Sequence, residues 1–450
     1  MRTFYKKIEI VVIASLLAAS ISGCGNKKKD DTSYLQFEHV YGNVVETVEI
    51  ADSEGFYPID DYVYISSDDA VILSSASDTA TTDMQTKYAM ELHRNGYNEN
   101  YSRFSTEDGN RYINNAYITT IALADEDEFD YSITALDIVD TDGYFYTYDD
   151  CLKDMADVRN AFPDAVTLNV CGLTADNRDI YEIVIGDPNS EKSLLIVAGM
   201  EGPEYMTSEY AVKAAEYYAH YYSDGIFNGY YYSDIFKNCC IRIVPMLNPD
   251  GVTVSQLGLD SIGTSATVSN INSWFERDQS KGGINATLES YLMFYYANAN
   301  GVDLRYNFPY NWESAGNNAE PSGAGYRGEK ESSEAETQSL MNMANRKFPD
   351  AVVVLRTTGC TINCGYAEES EVNDKAQLLA EKAADASGYL LNVVSPENGS
   401  PESYFSSTSI PSLRINIGSG EAPLSTSEFN SIWNSMREVP VSLCLDIMGK

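Results

Sequence analysis

The sequence predicts an α/β fold: a mixed, mostly parallel central sheet flanked by helices, preceded by a small N-terminal all-β barrel domain. Three observations lead there. The run 194–198 is continuously apolar, the pattern of a strand buried on both faces; 241–246 reads as another buried strand, and 351–355 and 413–417 as further short apolar strands. Segments of helical spacing fall among them, so strands and helices interleave across residues 148–450. Ahead of that region, residues 56–122 carry strand-like runs separated by turn residues.

The chain has 450 residues, long enough for a large core and an accessory domain. A hydrophobic content of 44% marks it as globular. Its formal charge of -37 excludes nucleic acid as an expected partner, because phosphate binding needs a basic face. Arg2, Lys6 and Lys7 precede an apolar segment at 10–19 that is short for a membrane span and reads as an export signal. It ends in Ile21-Ser22-Gly23-Cys24, which resembles the lipobox of bacterial lipoproteins. That resemblance implies a lipidated Cys24 after residues 1–24 are processed. The partners would then include the membrane, and the location would be the extracellular face of a bacterial membrane. The other reading is an ordinary signal peptide cleaved nearby.

Residues 25–55 read as a tether. Within 56–122, strand composition falls at 62–65, 70–73 and 112–119. The stretch 70–75, the run 91–104, then Asp108-Gly109 and Tyr112, resemble the strands of a bacterial Src-homology-3-like domain. Tyr101 stands where a tryptophan is common in that family. The resemblance implies a wall-facing module; the plainer alternative is a spacer. Residues 123–147, acidic and tyrosine-rich, read as a connector. The main domain starts with a helix at 148–162 and a hairpin, 166–170 with 179–185, around Asp176-Asn177. The region 252–300 is long and polar. Ser333 with Glu336 three residues on predicts a capping box, and a further helix covers 372–386. Cys360 and Cys364, or Cys239 and Cys240, can be read as disulfides of an exported protein or as buried small hydrophobes.

The chemistry concentrates after the 194–198 strand. Gly199 breaks the run, then Glu201 and Glu204 follow three residues apart, before Tyr210, Ala211, Ala214, Ala215, Tyr217 and Tyr218 recur at helical spacing. Two carboxylates therefore sit on a turn at the carboxyl end of a strand, the edge where open α/β sheets bind ligands.

Several segments from residue 148 onward share one resemblance. They are Gly172-Leu-Thr-Ala-Asp-Asn-Arg178, Pro245-Met-Leu-Asn-Pro-Asp-Gly251, the loop Gly301–Pro309 with Asp303-Leu304, Tyr326-Arg-Gly328 with Ser333-Glu-x-Glu-Thr337, and Ile410-Pro-Ser-Leu413. Together, and in this order, they resemble the zinc carboxypeptidase family. The resemblance implies one zinc held by two histidines and a glutamate, with an open position for water. It further implies a glutamate as general base and an arginine that clamps the substrate carboxylate.

Position by position the chain departs from that plan. The first ligand pair is Glu201-x-x-Glu204, so only Glu204 keeps its metal position and Glu201 replaces a histidine. Arg356 stands where the second histidine is expected, and Asn416 where the general base is expected. The Asn-Arg pair of the substrate loop has become Arg305-Tyr306. Arg277 does not fit the spacing of an oxyanion donor, and His39, His93 and His220 fall outside the motifs.

A guanidinium has no free lone pair and stays protonated, so Arg356 cannot ligate zinc. The expectation is that it replaces the metal and pairs with Glu204 and Glu201. Arg305, Tyr306, Arg356 and Arg414 would line a cationic substrate cleft able to hold a peptide carboxylate. Alternatively, these arginines only neutralise the inherited carboxylates. The sequence thus points to a surface lipoprotein without an intact catalytic set and without a cofactor, a non-catalytic pseudopeptidase binding peptide or cell-wall peptide. The second reading is an active zinc metallocarboxypeptidase with rearranged ligands.

Overall fold

The computed structural model describes residues 51–67, 70–77, 79–106, 108–120, 123, 138–141, 143, 145–281 and 286–450. The expected export signal, Cys24, His39 and most of the tether lie outside them. The chain divides into two compact units between Thr120 and Ile121.

The first unit is all β. Its strands are β1 (Tyr57–Ile65), β2 (Val71–Leu73), β3 (Thr82–Gln85), β4 (Glu91–Tyr97), β5 (Tyr101–Thr106), β6 (Gly109–Asn114) and β7 (Ile118–Thr119). They form one antiparallel sheet in the order β3-β2-β6-β5-β4-β1-β7, so β3 and β7 are its two ends. Period-two alternation turns Val63 and Ile65 inward onto Ile72, Leu92, Phe104 and Ile113. Tyr101 is buried against Phe56, Leu73 and Tyr112, so it serves as a core residue.

In the second unit, α1 (Tyr148–Ala161) opens on a capping box made by Thr147 and Asp150. The strands β8 (Val166–Leu173) and β9 (Asp179–Ile185) follow as a hairpin, with Asn177 at φ 61° in its turn. Then come β10 (Lys192–Val197), α2 (Tyr205–His220), the short pair β11 (Ile226–Phe227) and β12 (Tyr230–Tyr231), α3 (Tyr232–Asn238) and β13 (Cys239–Val244). The long polar stretch, for which the sequence predicts no elements, continues α4 (Pro249–Leu257) and holds α5 (Ser265–Ser280) and α6 (Leu288–Met293). The chain closes with α7 (Ala335–Arg346), β14 (Ala351–Thr357), β15 (Thr361–Cys364), α8 (Ser370–Ser387), β16 (Leu390–Val393), α9 (Pro401–Ser407), β17 (Ser412–Ile417), α10 (Phe429–Met436) and α11 (Val439–Met448).

The central sheet runs β16-β15-β17-β14-β10-β13-β9-β8. β13, β10, β14 and β17 are mutually parallel, and the antiparallel pairs lie towards both edges. Alternation splits each strand between two cores. Leu194, Ile196, Val353, Leu355, Leu413 and Ile415 pack beneath α2, α8 and α11. Leu195, Val197, Val352 and Val354 pack beneath α7, α9 and the 304–308 loop. Consequently β10, leading into α2 on one face, lies beside β14, reached from α7 on the other. By the general rule for α/β sheets, the ligand crevice lies at the carboxyl ends of these neighbouring strands.

Two local expectations change. The Ser333 capping box does not form: Glu334 is the N-cap, Ser333 Oγ donates to Glu334 Oε1, and Glu336 turns inward onto Asn298. All seven cysteines in the described residues are free thiols, five of them buried, which favours the small-hydrophobe reading over the disulfide one. The last residues of the expected connector belong to this unit, because Ile138 and Val139 donate their N–H groups to the Glu216 carboxylate at 2.9 and 3.1 Å.

Burial, with Asp250 and Glu334 adding repulsion, pushes the Glu336 carboxyl up to about 8. Burial, with Asp140 and Asp154 nearby, does the same to Glu209. Both hold a proton in the folded chain that the unfolded chain releases above its ordinary carboxyl range, so unfolding sheds protons between those limits. Stability from these groups is complete in mild acid and falls as pH rises towards 8. Urea unfolding should therefore show a lower midpoint at about pH 8 than at about pH 5.5, and the difference should shrink in Glu336→Gln.

Candidate functional site

Main-chain packing sets the carboxylate turn. The chain leaves β10 at Ala198 and turns at Gly199, whose φ is +58°. A Cβ there would overlap Ser208 Oγ and the Met246 backbone, so glycine is required on both counts. A Cβ on Gly202 would strike the carbonyl oxygens of Tyr295 and Gly251. The Pro245–Gly251 motif completes the seat. Asn248 accepts from Gly251 N to cap α4, and its Nδ2 donates to the Met200 and Ala297 carbonyls, both at 3.2 Å. Glu201 and Glu204 are thereby held in the crevice, 0% and 2% exposed.

Arg356 enters from β14 and is 5% exposed. Its Nε donates to Glu204 Oε2 at 2.7 Å, and its Nη2 donates to Glu201 Oε2. Glu204 Oε1 accepts from Thr357 N at 3.1 Å. Burial opposes the charge on Arg356, but the two carboxylates outweigh it and hold the guanidinium firmly protonated. Burial also raises the Glu201 carboxyl, against the pull of Arg356 and with Glu204 adding repulsion.

The remaining predicted residues converge on the same crevice. Arg305 Nη2 donates to Asp303 Oδ2 at 3.1 Å, and its plane lies 4.6 Å from the Tyr306 ring centre. Its Nε stands 3.3 Å from Glu201 Oε1, in ion-pair range but without hydrogen-bond alignment. Asn416, the direct neighbour of Arg356 across β14 and β17, donates from Nδ2 to Thr361 Oγ1 at 2.8 Å. Arg414 lies two residues back on the same face of β17. Its Nε donates to Glu402 Oε1 at 2.6 Å, and its two terminal nitrogens donate to the Glu397 carboxylate at 3.0 and 2.8 Å.

These pairings correct the expected cationic cleft. Arg305, Arg356 and Arg414 meet Glu201, Glu204, Asp303, Glu397 and Glu402, so carboxylates outnumber guanidiniums. Sequence reasoning missed Asp303, Glu397 and Glu402 as partners. Asp303 was visible in the Gly301–Pro309 motif but not as an arginine's partner, and Glu402 left a local trace in the Ser400-Pro401-Glu402 start of α9. Arg277 is engaged elsewhere, donating to Asp278 and to the Pro321 carbonyl. His220 packs its ring against Phe162 and Tyr221, and His93 pairs with Asp60 in the first unit.

A mixed α/β sheet with a charged site between its central parallel strands defines the class, and comparison with known proteins gives the family. The zinc carboxypeptidase profile matches residues 151–429, more than half the chain, and this protein belongs to that family. The γ-D-glutamyl-L-diamino acid endopeptidase 1 of Lysinibacillus sphaericus is 24% identical over 292 residues, covering 64% of this chain and 69% of its own. Carboxypeptidase A from Helicoverpa armigera superposes with a TM-score of 0.53 at 16% identity, over 69% of this chain and 76% of its own. Bovine thrombin-activatable fibrinolysis inhibitor gives 0.52 at 14% identity, over 69% and 99%.

The family ordinarily carries zinc, and the donors present here do not fit it. Among the described residues no three His, Cys, Asp or Glu side chains are grouped to hold a metal. Both carboxylates of the turn direct oxygens at Arg356, a fixed cation that a dication would have to expel. Arg356→Ala would leave two buried carboxylates facing each other. It should lower unfolding stability by about 3–5 kcal/mol in urea titration, whereas Lys375→Ala on exposed α8 should cost roughly 0.5 kcal/mol or less.

Proposed function

We propose that this protein is a peptide-binding member of the zinc carboxypeptidase family that no longer hydrolyses its ligand. The supporting observation is the Arg356 guanidinium between Glu201 and Glu204, where the family plan calls for a dication. Asn416 reinforces the reading, since an amide in place of the expected glutamate cannot accept a proton from water. The proposed ligand is a cell-wall peptide. The Lysinibacillus relative is named for a γ-D-glutamyl–diamino acid bond, and that substrate class is carried here as part of the proposal. With Cys24 lipidated, the protein would sit on the extracellular face of the bacterial membrane. Its Src-homology-3-like unit would lie near the wall, and the carboxypeptidase unit would hold peptide rather than cut it.

The test is metal content and turnover together. Purified protein dialysed against zinc should retain a small fraction of an equivalent and release no product from L-alanyl-γ-D-glutamyl-L-lysine. Replacing Glu201→His together with Arg356→His should restore stoichiometric zinc, because the two nitrogen donors would rejoin Glu204. Stoichiometric zinc in the unaltered protein, with peptide release abolished by Glu204→Ala, would establish an active metallocarboxypeptidase instead.

A further inference from the structure

Arg414 is held as a receptor is held. The Glu402 carboxylate, fully buried in the first turn of α9, takes its Nε, and the Tyr366 ring lies 5.4 Å from its guanidinium carbon. Burial alone would raise the Glu402 carboxyl, but Arg414 outweighs it and holds the group below its ordinary value, so this pair is already charge-neutral. The planar edge bearing Nη1 and Nη2 is left over, the geometry that binds a carboxylate bidentately.

That edge is filled by Glu397, a second carboxylate the charge balance does not need. Its side chain is 41% exposed, while those of Arg414 and Glu402 are 12% and 0%. The backbone around it is fixed. Glu397 N donates to Ser403 Oγ at 2.7 Å, Gly399 N donates to the Tyr310 carbonyl, and Phe308 N donates to the Gly399 carbonyl. Glu397 can therefore leave Arg414 by side-chain rotation without moving the loop. Around the same crevice, Glu402 Oε2 is buried without a hydrogen-bond partner, a polar group that a ligand or its water can satisfy.

We infer that Arg414 forms a carboxylate-binding subsite, with Glu397 as a built-in occupant that the carboxylate of an incoming peptide displaces. This rests on the peptide-binding reading above and adds the group recognised and the gate in front of it. No bond is made or broken; one carboxylate exchanges for another on the same two nitrogens. A receptor occupied by its own side chain binds with an affinity reduced by the fraction of time it stands open. Releasing Glu397 should therefore tighten binding selectively for ligands that carry a free carboxylate.

Glu397→Gln tests this, because the position is half exposed and the amide cannot form the bidentate ion pair. By calorimetry, the variant should bind L-alanyl-D-isoglutaminyl-L-lysine roughly tenfold more tightly than the unaltered protein, and both should bind its C-terminal amide equally weakly. Equal affinity of both proteins for the free acid would overturn the subsite and leave the peptide-binding reading standing. If neither binds the tripeptide while Glu397→Gln alone gains affinity for N-acetylglycine, the subsite stands and the wall-peptide reading falls. Absence of binding to every probe overturns both.

Discussion

The crevice depends on one contact, a guanidinium wedged between two buried carboxylates. Glu201 and Glu204 come from one turn, and burial makes their mutual repulsion costly unless a cation stands between them. Zinc meets that need in the family at large. Here the cation is covalently part of β14, so it cannot dissociate and offers no lone-pair acceptor position or open coordination site. The Arg356 guanidinium thus satisfies the electrostatics of the carboxylate turn from within the chain.

The surrounding charges follow from that choice. Arg305 balances the outer oxygen of Glu201 and is itself steadied by Asp303, while Arg414 is shared between Glu402 and Glu397. The result is an alternating network in which every arginine touches at least one carboxylate. Well-packed apolar residues can match or exceed such networks in stability.

Much of the fold was legible because its strands announce themselves. The runs in β10 and in the first five residues of β14 are apolar on both faces, as a sheet covered by helices on both sides requires, while β17 is apolar on one face only. The helices α4, α5 and α6 were not legible. Their apolar residues are few and interrupted, and α5 buries only Thr267 and Ile271. At the site, Glu201, Glu204, Arg356 and Asn416 could be placed because motif order fixes which strand end each occupies. The partners Asp303, Glu397 and Glu402 could not, since nothing local to a carboxylate says which arginine it will meet after folding. The charge of the cleft was misjudged for that reason: its cations were counted along the chain, and its anions arrive through tertiary structure.

The seat of the carboxylate turn has a wider consequence. Gly199 and Gly202 let the turn pack against the Ser208 hydroxyl and the backbone of Met246, Tyr295 and Gly251, so it takes its shape from contacts that involve no charged group. Geometry and reactivity are thus written in separate parts of the polymer.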